Sequence, residues 1–335
     1  MTFPGTAMNR AAHHPHRLCV APMMNCTDRH YRYLARLLSK NSMLYTEMMA
    51  AGALVHGNHE RLLEFDSSEH PLALQVGGSH VPDMQRCTEY AAELGYDEVN
   101  INVGCPSNRV QAGRFGACLM LEPQTVADCV RAMQTVAPIR ISVKTRIGVD
   151  NHDRYQDLHH FVDTVAAAGC SIFIVHARKA FLSGLSPKQN RSVPPLRYEF
   201  VYRLKQDFPD LRIVLNGGLS DGEKILPHLE HVDGVMIGRE AYENPYFLAR
   251  LDAALFHTRL PSRGEVLDAY KGYARRQLDV GVPLATLCRH LSGLFHSMPG
   301  ARAWRRILSE STGKKDAGLE VICTAERFVT GGLHG

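Results

Sequence analysis

The sequence predicts a (β/α)8 barrel followed by an all-helical domain, and three observations carry that expectation. Eight short apolar, β-branched runs recur between residues 18 and 238. Segments with helical spacing separate them, and beyond Tyr246 the strand-like runs give way to amphipathic helical spacing. Alternating strands and helices imply a parallel sheet with crossover helices. Eight such units fit a closed barrel better than an open doubly wound sheet, which calls for a G-x-G-x-x-G turn after its first strand. No such turn follows the first run.

In order, the runs lie at residues 18–21, 43–46, 72–76, 99–103, 139–144, 172–176, 213–216 and 235–238. Pro123 opens a helix expected over 124–136, because its fixed φ suits a first turn that has no use for its missing N–H. Gly169 stops a second helix expected over 159–168, and Pro261, Pro283 and Pro299 punctuate the helices of the C-terminal part. At roughly 150 residues per domain, 335 residues suit two domains. The expected division is a catalytic barrel over 1–250 and a helical domain over 251–335.

With 45% hydrophobic and 21% charged residues, the composition is that of an ordinary globular protein, which excludes a disordered or collagen-like chain. No run approaches the ~18 apolar residues of a membrane span, and the first seventeen residues hold no apolar signal segment, so a cytoplasmic location is expected. Nine cysteines without a C-x-x-C pair argue against a disulfide framework or a structural zinc site, and for reduced thiols. The net charge is only +4, but it is unevenly spread. Nine basic residues face two acidic ones from Lys271 to Lys315, and eight face three from His176 to Arg212. Two basic islands on a near-neutral chain suggest a polyanion footprint, although solvated helix faces give the same pattern.

In a barrel of this kind the residues closing each strand line the active-site mouth. Here those ends are polar: Ala21-Pro22-Met23-Met24, Gln75-Val76-Gly77-Gly78, Asn100-Ile101-Asn102-Val103-Gly104-Cys105-Pro106, Lys144-Thr145-Arg146, His176-Ala177-Arg178, Asn216-Gly217-Gly218 and Gly238-Arg239. Taken singly, Lys144 could be a solvated strand-end cation, His176 a core histidine, Cys105 a small buried hydrophobe and Asn216-Gly217-Gly218 a tight turn. Converging on one mouth they point to chemistry. Glycines after strands seven and eight suit a phosphate held by backbone N–H groups, as in a flavin or a sugar phosphate.

Together with Thr27-Asp28, Ser107 and Val143-Lys144-Thr145-Arg146-Ile147-Gly148, these blocks make the chain resemble the tRNA-dihydrouridine synthase family, particularly its A subfamily, over nearly its whole length. Asn25-Cys26 stand where that family commonly has Asp-Trp. The resemblance implies an FMN enzyme that reduces a uracil C5=C6 bond in tRNA at the expense of NADPH, at D-loop positions 20 and 20a. It implies non-covalent FMN contacts from Pro22, Met23, Met24, Gln75, Lys144, His176, Asn216, Gly217, Gly218, Gly238 and Arg239.

The residues suit that reaction. Hydride delivered to uracil C6 leaves an enolate whose C5 needs a proton from a positioned acid, and Cys105 is the candidate. Thiols, with an ordinary pKa near ~8.5, are far stronger acids than a serine hydroxyl. Lys144 could stabilise a reduced, anionic flavin, and Asn102 could pair with the amide-like edge of uracil. A uridine in folded tRNA must turn outward to reach a barrel mouth. Lys188 and Arg191, and Arg302 and Arg305 at helical spacing, are the expected RNA contacts. A monomer without a metal ion is expected. The alternatives are an FMN barrel acting on a free pyrimidine, a Schiff-base aldolase built on Lys144, and a non-catalytic RNA-binding protein.

Overall fold

The computed structural model describes residues 14–313 and 317–330. Lys314 and Lys315 of the first basic island, and the first thirteen residues, lie outside that range. The described chain divides into two compact units, one of residues 14–24 and 43–238, the other of residues 25–42 and 239–330.

The first unit is a parallel barrel. Its strands are β1 (Leu18–Val20), β2 (Leu44–Tyr45), β3 (Leu72–Gly77), β4 (Glu98–Val103), β5 (Arg140–Arg146), β6 (Ile172–His176), β7 (Arg212–Asn216) and β8 (Gly234–Ile237). All eight expected runs are strands. Each of β3 to β8 pairs in parallel with the strand before it, and β8 returns to β1 through Leu18 opposite Val235. The last seam, between β1 and β2, is only a bridge: the Val20 N–H donates to the Met43 carbonyl at 2.9 Å, and the Met43 N–H donates to the Leu18 carbonyl at 2.9 Å. A two-residue strand, Met49–Ala50, adds to the carboxyl end of β3.

Crossover helices follow the strands. Pro123 opens Pro123–Val136 as expected. The next helix, Tyr155–Ala167, starts four residues before the expected residue 159, because the Asp157 carboxylate accepts the Arg154 N–H at 3.0 Å and caps a first turn whose Tyr155 and Leu158 are already buried. Gly169 follows it with φ +103°.

The second unit is helical: Arg29–Leu38, Arg239–Glu243, Tyr246–Phe256, Arg263–Asp279, Leu284–Leu291, Ala301–Ser311 and Glu320–Thr330. It differs from the expected division at 250/251 in starting at Arg239 and in taking in residues 25–42. Two carboxylates, the half-buried Asp28 and the buried Asp252, account for this. Asp28 caps Arg29–Leu38 through the His30 and Tyr31 N–H groups, both at 3.0 Å, and also meets His290 at 3.0 Å and Arg289. Burial would raise the Asp28 pKa, but the His290, Tyr31 and Arg289 hydrogen bonds outweigh it and hold the group well below the carboxylate range. Asp252 accepts from Ser39, from the Asn41 backbone at 3.2 Å and side chain at 3.1 Å, and from Thr258 at 3.0 Å. Trp304 is fully buried and donates its indole N–H to the Leu291 carbonyl at 3.0 Å, the partner a buried indole needs. Among the described residues no helix is long and apolar enough to cross a membrane.

Candidate active site

Side chains alternate across a strand, so every second barrel residue points inward. The inward set is sharply divided. Cys19, Met43, Tyr45, Ala73, Ile172, Ile174, Val214 and Met236 form one apolar cluster. On β3, β4 and β5 polar inward positions take over: Gln75 beyond Ala73, Glu98 with Asn100 and Asn102, and Ser142 with Lys144. The strand register sets Gln75 opposite Asn100, Asn100 opposite Ser142, and Asn102 opposite Lys144.

Asn102 organises the loop after β4. Its Oδ1 accepts the Gly104 N–H at 3.1 Å and the Cys105 N–H at 3.0 Å, and its Nδ2 donates to Gln75 Oε1 at 2.9 Å. The acceptor expected to read uracil is therefore committed to the loop, and what the amide keeps for a ligand is a donor. On the far side the Ala117 N–H donates to the Cys105 carbonyl at 2.9 Å. That approach requires Gly116, at φ +80°, where a Cβ would sit 2.5 Å from the Cys105 carbonyl oxygen. Held from both sides, Cys105 is half-buried, and its thiol donates to Ser107 Oγ at 3.7 Å.

Three groups at the ends of β5 and β6, two of them cationic, set the electrostatics of the mouth. Burial, with the neighbouring Arg146 adding to it, lowers the Lys144 pKa to about 8, and Cys105 is near enough for its thiolate form to oppose that shift. Lys144 nonetheless keeps partial access to solvent. Burial and the surrounding Arg146, Lys144, Arg178 and Arg191 push the His176 pKa well down, so its imidazole is neutral at pH 7. Arg146 is buried, its pKa lowered by burial to about 10. It donates to the Gly104 carbonyl at 2.9 Å, the Lys179 carbonyl at 3.1 Å and the Asn190 carbonyl at 2.8 Å.

The remaining expected contacts that belong to the first unit fall around the same rim. Pro22 and Met23 follow β1 half-buried, Met23 packs on the apolar cluster, and Met24 is exposed. Asn216 closes β7, its Nδ2 donating to the Met236 carbonyl at 2.8 Å. Gly217 and Gly218 have φ +113° and +70°, and a Cβ on Gly217 would lie 2.5 Å from the His176 ring. After β8 the Gly238 backbone is open, with nothing nearer to a Cβ than Ala21 at 3.9 Å. A positive-φ glycine pair, an open glycine and a lysine at strand carboxyl ends suit a phosphorylated anionic cofactor. Arg239, exposed, begins the helix Arg239–Glu243 of the second unit.

Lys188 and Arg191 are exposed on a loop that the buried Asn190 holds, accepting the Phe181 N–H at 2.7 Å and donating to its carbonyl at 3.0 Å. Gln111 joins this loop to the Cys105 loop by donating to the Pro106 carbonyl at 2.9 Å and the Leu182 carbonyl at 2.8 Å. In the second unit Arg302 and Arg305 are both exposed on Ala301–Ser311, while Trp304 and Leu308 face inward. Sequence reading missed Glu98, Ser142, Gln111 and Asn190. For Glu98 and Ser142 the signal was there: polar residues at even spacing with Asn100, Asn102 and Lys144, alternating with Val99, Ile101, Ile141 and Val143.

The family model for dihydrouridine synthase (Dus) matches residues 19–329. The tRNA-dihydrouridine(20/20a) synthase of Shewanella oneidensis is 55% identical over 312 residues, 92% of this chain and 93% of that one. Its namesake in Vibrio parahaemolyticus is 54% identical, covering 92% and 95%, and that of Synechocystis sp. is 53% identical over 310 residues, covering 92% and 93%. Among solved structures, TcOYE with pHBA superposes with a TM-score of 0.53 at 11% identity, over 75% of this chain and 92% of that one. Morphinone reductase in complex with tetrahydroNAD gives 0.51 at 11% identity, over 75% and 90%. These two establish the barrel fold, and the match across residues 19–329 establishes the rest: the chain belongs to the dihydrouridine synthase family.

Proposed function

We propose that this protein holds FMN non-covalently at the barrel mouth and reduces the C5=C6 bond of D-loop uridines 20 and 20a of tRNA to dihydrouridine, with NADPH as reductant. The observation that carries the reading is the double anchoring of Cys105, by Asn102 on one side and Ala117 on the other, beside the cation Lys144. When bound, FMN supplies the hydride that goes to uracil C6. Gly217, Gly218 and Gly238 leave room for its phosphate, with Asn216, Gln75, Pro22, Met23, Met24 and Arg239 as further contacts. Lys144 supplies positive charge, and neutral His176 supplies a hydrogen bond without adding to that charge.

Cys105 gives its proton to uracil C5 and must be reprotonated before the next turnover. The Asn102 amide donates its second N–H to a uracil carbonyl, which the loop contacts leave as its role. Lys188 with Arg191, and Arg302 with Arg305, neutralise tRNA phosphates, and that attraction offsets the cost of turning the uridine out of the RNA. One chain provides all of these groups, so the protein works as a monomer, with tRNA in the cytoplasm, and the chemistry needs no metal ion.

Mapping dihydrouridine in tRNA from cells with and without the gene tests the reading. Loss at positions 20 and 20a on deletion supports it, and an unchanged map overturns it. The purified protein should carry about one FMN per chain. FAD in its place, or a colourless protein that FMN fails to reconstitute, would overturn the cofactor assignment.

A further inference from the structure

A continuous hydrogen-bond chain crosses the barrel interior from its base to its mouth, and each link runs in the same direction. At the base Glu98 is completely buried, with His16 Nε2 2.7 Å from one carboxylate oxygen and the Tyr45 hydroxyl donating to the other at 3.4 Å. Ser142 Oγ donates to Glu98 Oε1. Asn100 Nδ2 donates to Ser142 Oγ at 2.7 Å, Gln75 Nε2 to Asn100 Oδ1 at 2.7 Å, and Asn102 Nδ2 to Gln75 Oε1 at 2.9 Å. The chain ends where Asn102 Oδ1 accepts the Gly104 and Cys105 N–H groups.

The two ends dictate that direction. A carboxylate only accepts, and a backbone N–H only donates. An amide can be turned over by exchanging its oxygen and nitrogen, but turning Gln75 or Asn102 sets donor against donor at one neighbour and acceptor against acceptor at the other, and turning Asn100 sets donor against donor at Gln75 and takes from Glu98 the one hydrogen that Ser142 donates. Buried, mispaired polar groups are expensive, and aligned hydrogen bonds polarise one another. The arrangement leaves Gln75 and Asn102 each with one N–H beyond the chain, so both offer donors, which complement the carbonyl edges of a flavin or a uracil.

We infer that Glu98 is a positioning residue: through Ser142 and Asn100 its carboxylate fixes the amide orientation of Gln75 and Asn102, and with it the seat of the Cys105 loop. The link to turnover rests on the function proposed above, whereas the orientation itself does not. Two variants test it, Glu98→Gln, which can donate as well as accept, and Ser142→Ala, which cuts the chain at an uncharged residue.

In protein without cofactor, selectively 15N-labelled at Gln and Asn side chains, the parent should show one sharp pair of amide resonances each for Gln75 and Asn102. Both variants should broaden or double them. Single-turnover dihydrouridine formation should fall roughly ten- to a hundredfold in Ser142→Ala, with KM for tRNA within about twofold, since the phosphate contacts are untouched. Should Glu98→Gln fail to fold, Ser142→Ala decides. Sharp, unshifted Gln75 and Asn102 resonances in folded Ser142→Ala overturn the inference. Altered resonances in a protein whose parent leaves tRNA unreduced support the chain and overturn the proposed function instead.

Discussion

Asn102 holds Cys105 by its backbone: one side-chain oxygen accepts both the Cys105 N–H at 3.0 Å and the Gly104 N–H at 3.1 Å. The last inward residue of β4 thereby sets where the next loop begins. Asn102→Ala leaves two backbone donors and Gln75 Oε1 without these partners, at an expected cost of about 1–3 kcal/mol in urea unfolding. Dihydrouridine formation should fall with it even at saturating tRNA, and an unchanged rate would show that the loop finds its seat without Asn102.

In the proposed reaction Cys105 is the residue that carries the proton. Cys105→Ala should bind FMN and oxidise NADPH at the parent rate, because that half of the reaction needs no thiol. Its single-turnover yield of dihydrouridine should drop by about a hundredfold or more. Rates within tenfold of the parent would place the proton donor elsewhere.

Lys144 predicts a pH dependence with a definite sign. Its folded pKa, near 8, lies below the value of 10.5 for a free lysine side chain, so above pH 8 the unfolded chain holds the extra proton. The cost of burying the charge is present in full below pH 8 and is relieved between about 8 and 10.5. Relative to Lys144→Met, the cofactor-free protein should therefore gain melting temperature over that window. An anionic flavin nearby favours the charged lysine, so FMN binding at pH 8.5 should take up protons, measurable by calorimetry in buffers of different ionisation enthalpy. Equal heats in all buffers would remove Lys144 from the flavin site.

Asp252 tests the helical unit. It accepts from Ser39, Asn41 and Thr258 while almost fully buried. Asp252→Ala should destabilise the protein by about 2–4 kcal/mol, read from the denaturant midpoint. A change below about 0.5 kcal/mol would mean that residues 25–42 are held by apolar packing alone.

Charge decides the RNA test. Replacing Arg302 and Arg305 together by Ala should weaken tRNA binding and flatten the plot of log K against log salt by roughly 1 to 2 units, with FMN content unchanged. An unaltered slope would move the RNA to another surface.

The barrel was legible because its pattern is local. Each strand is a short apolar run, the helices expected over 124–136 and 159–168 showed a start at Pro123 and a stop at Gly169, and the eight runs 18–21 to 235–238 all became strands. The mouth was legible too, since strand ends are fixed once strands are, which is why Lys144, His176 and Gly217 meet there. Pairing between distant segments was not legible. That Asn102 spends its acceptor on Cys105, that Arg146 reaches the Asn190 carbonyl, and that residues 25–42 join the helical unit through Asp28 and Asp252 all depend on strand register and on partners up to 262 positions away. A sequence shows which side chains can donate or accept; only the tertiary structure brings one particular donor within 3 Å of one particular acceptor, and burial then makes that pairing obligatory.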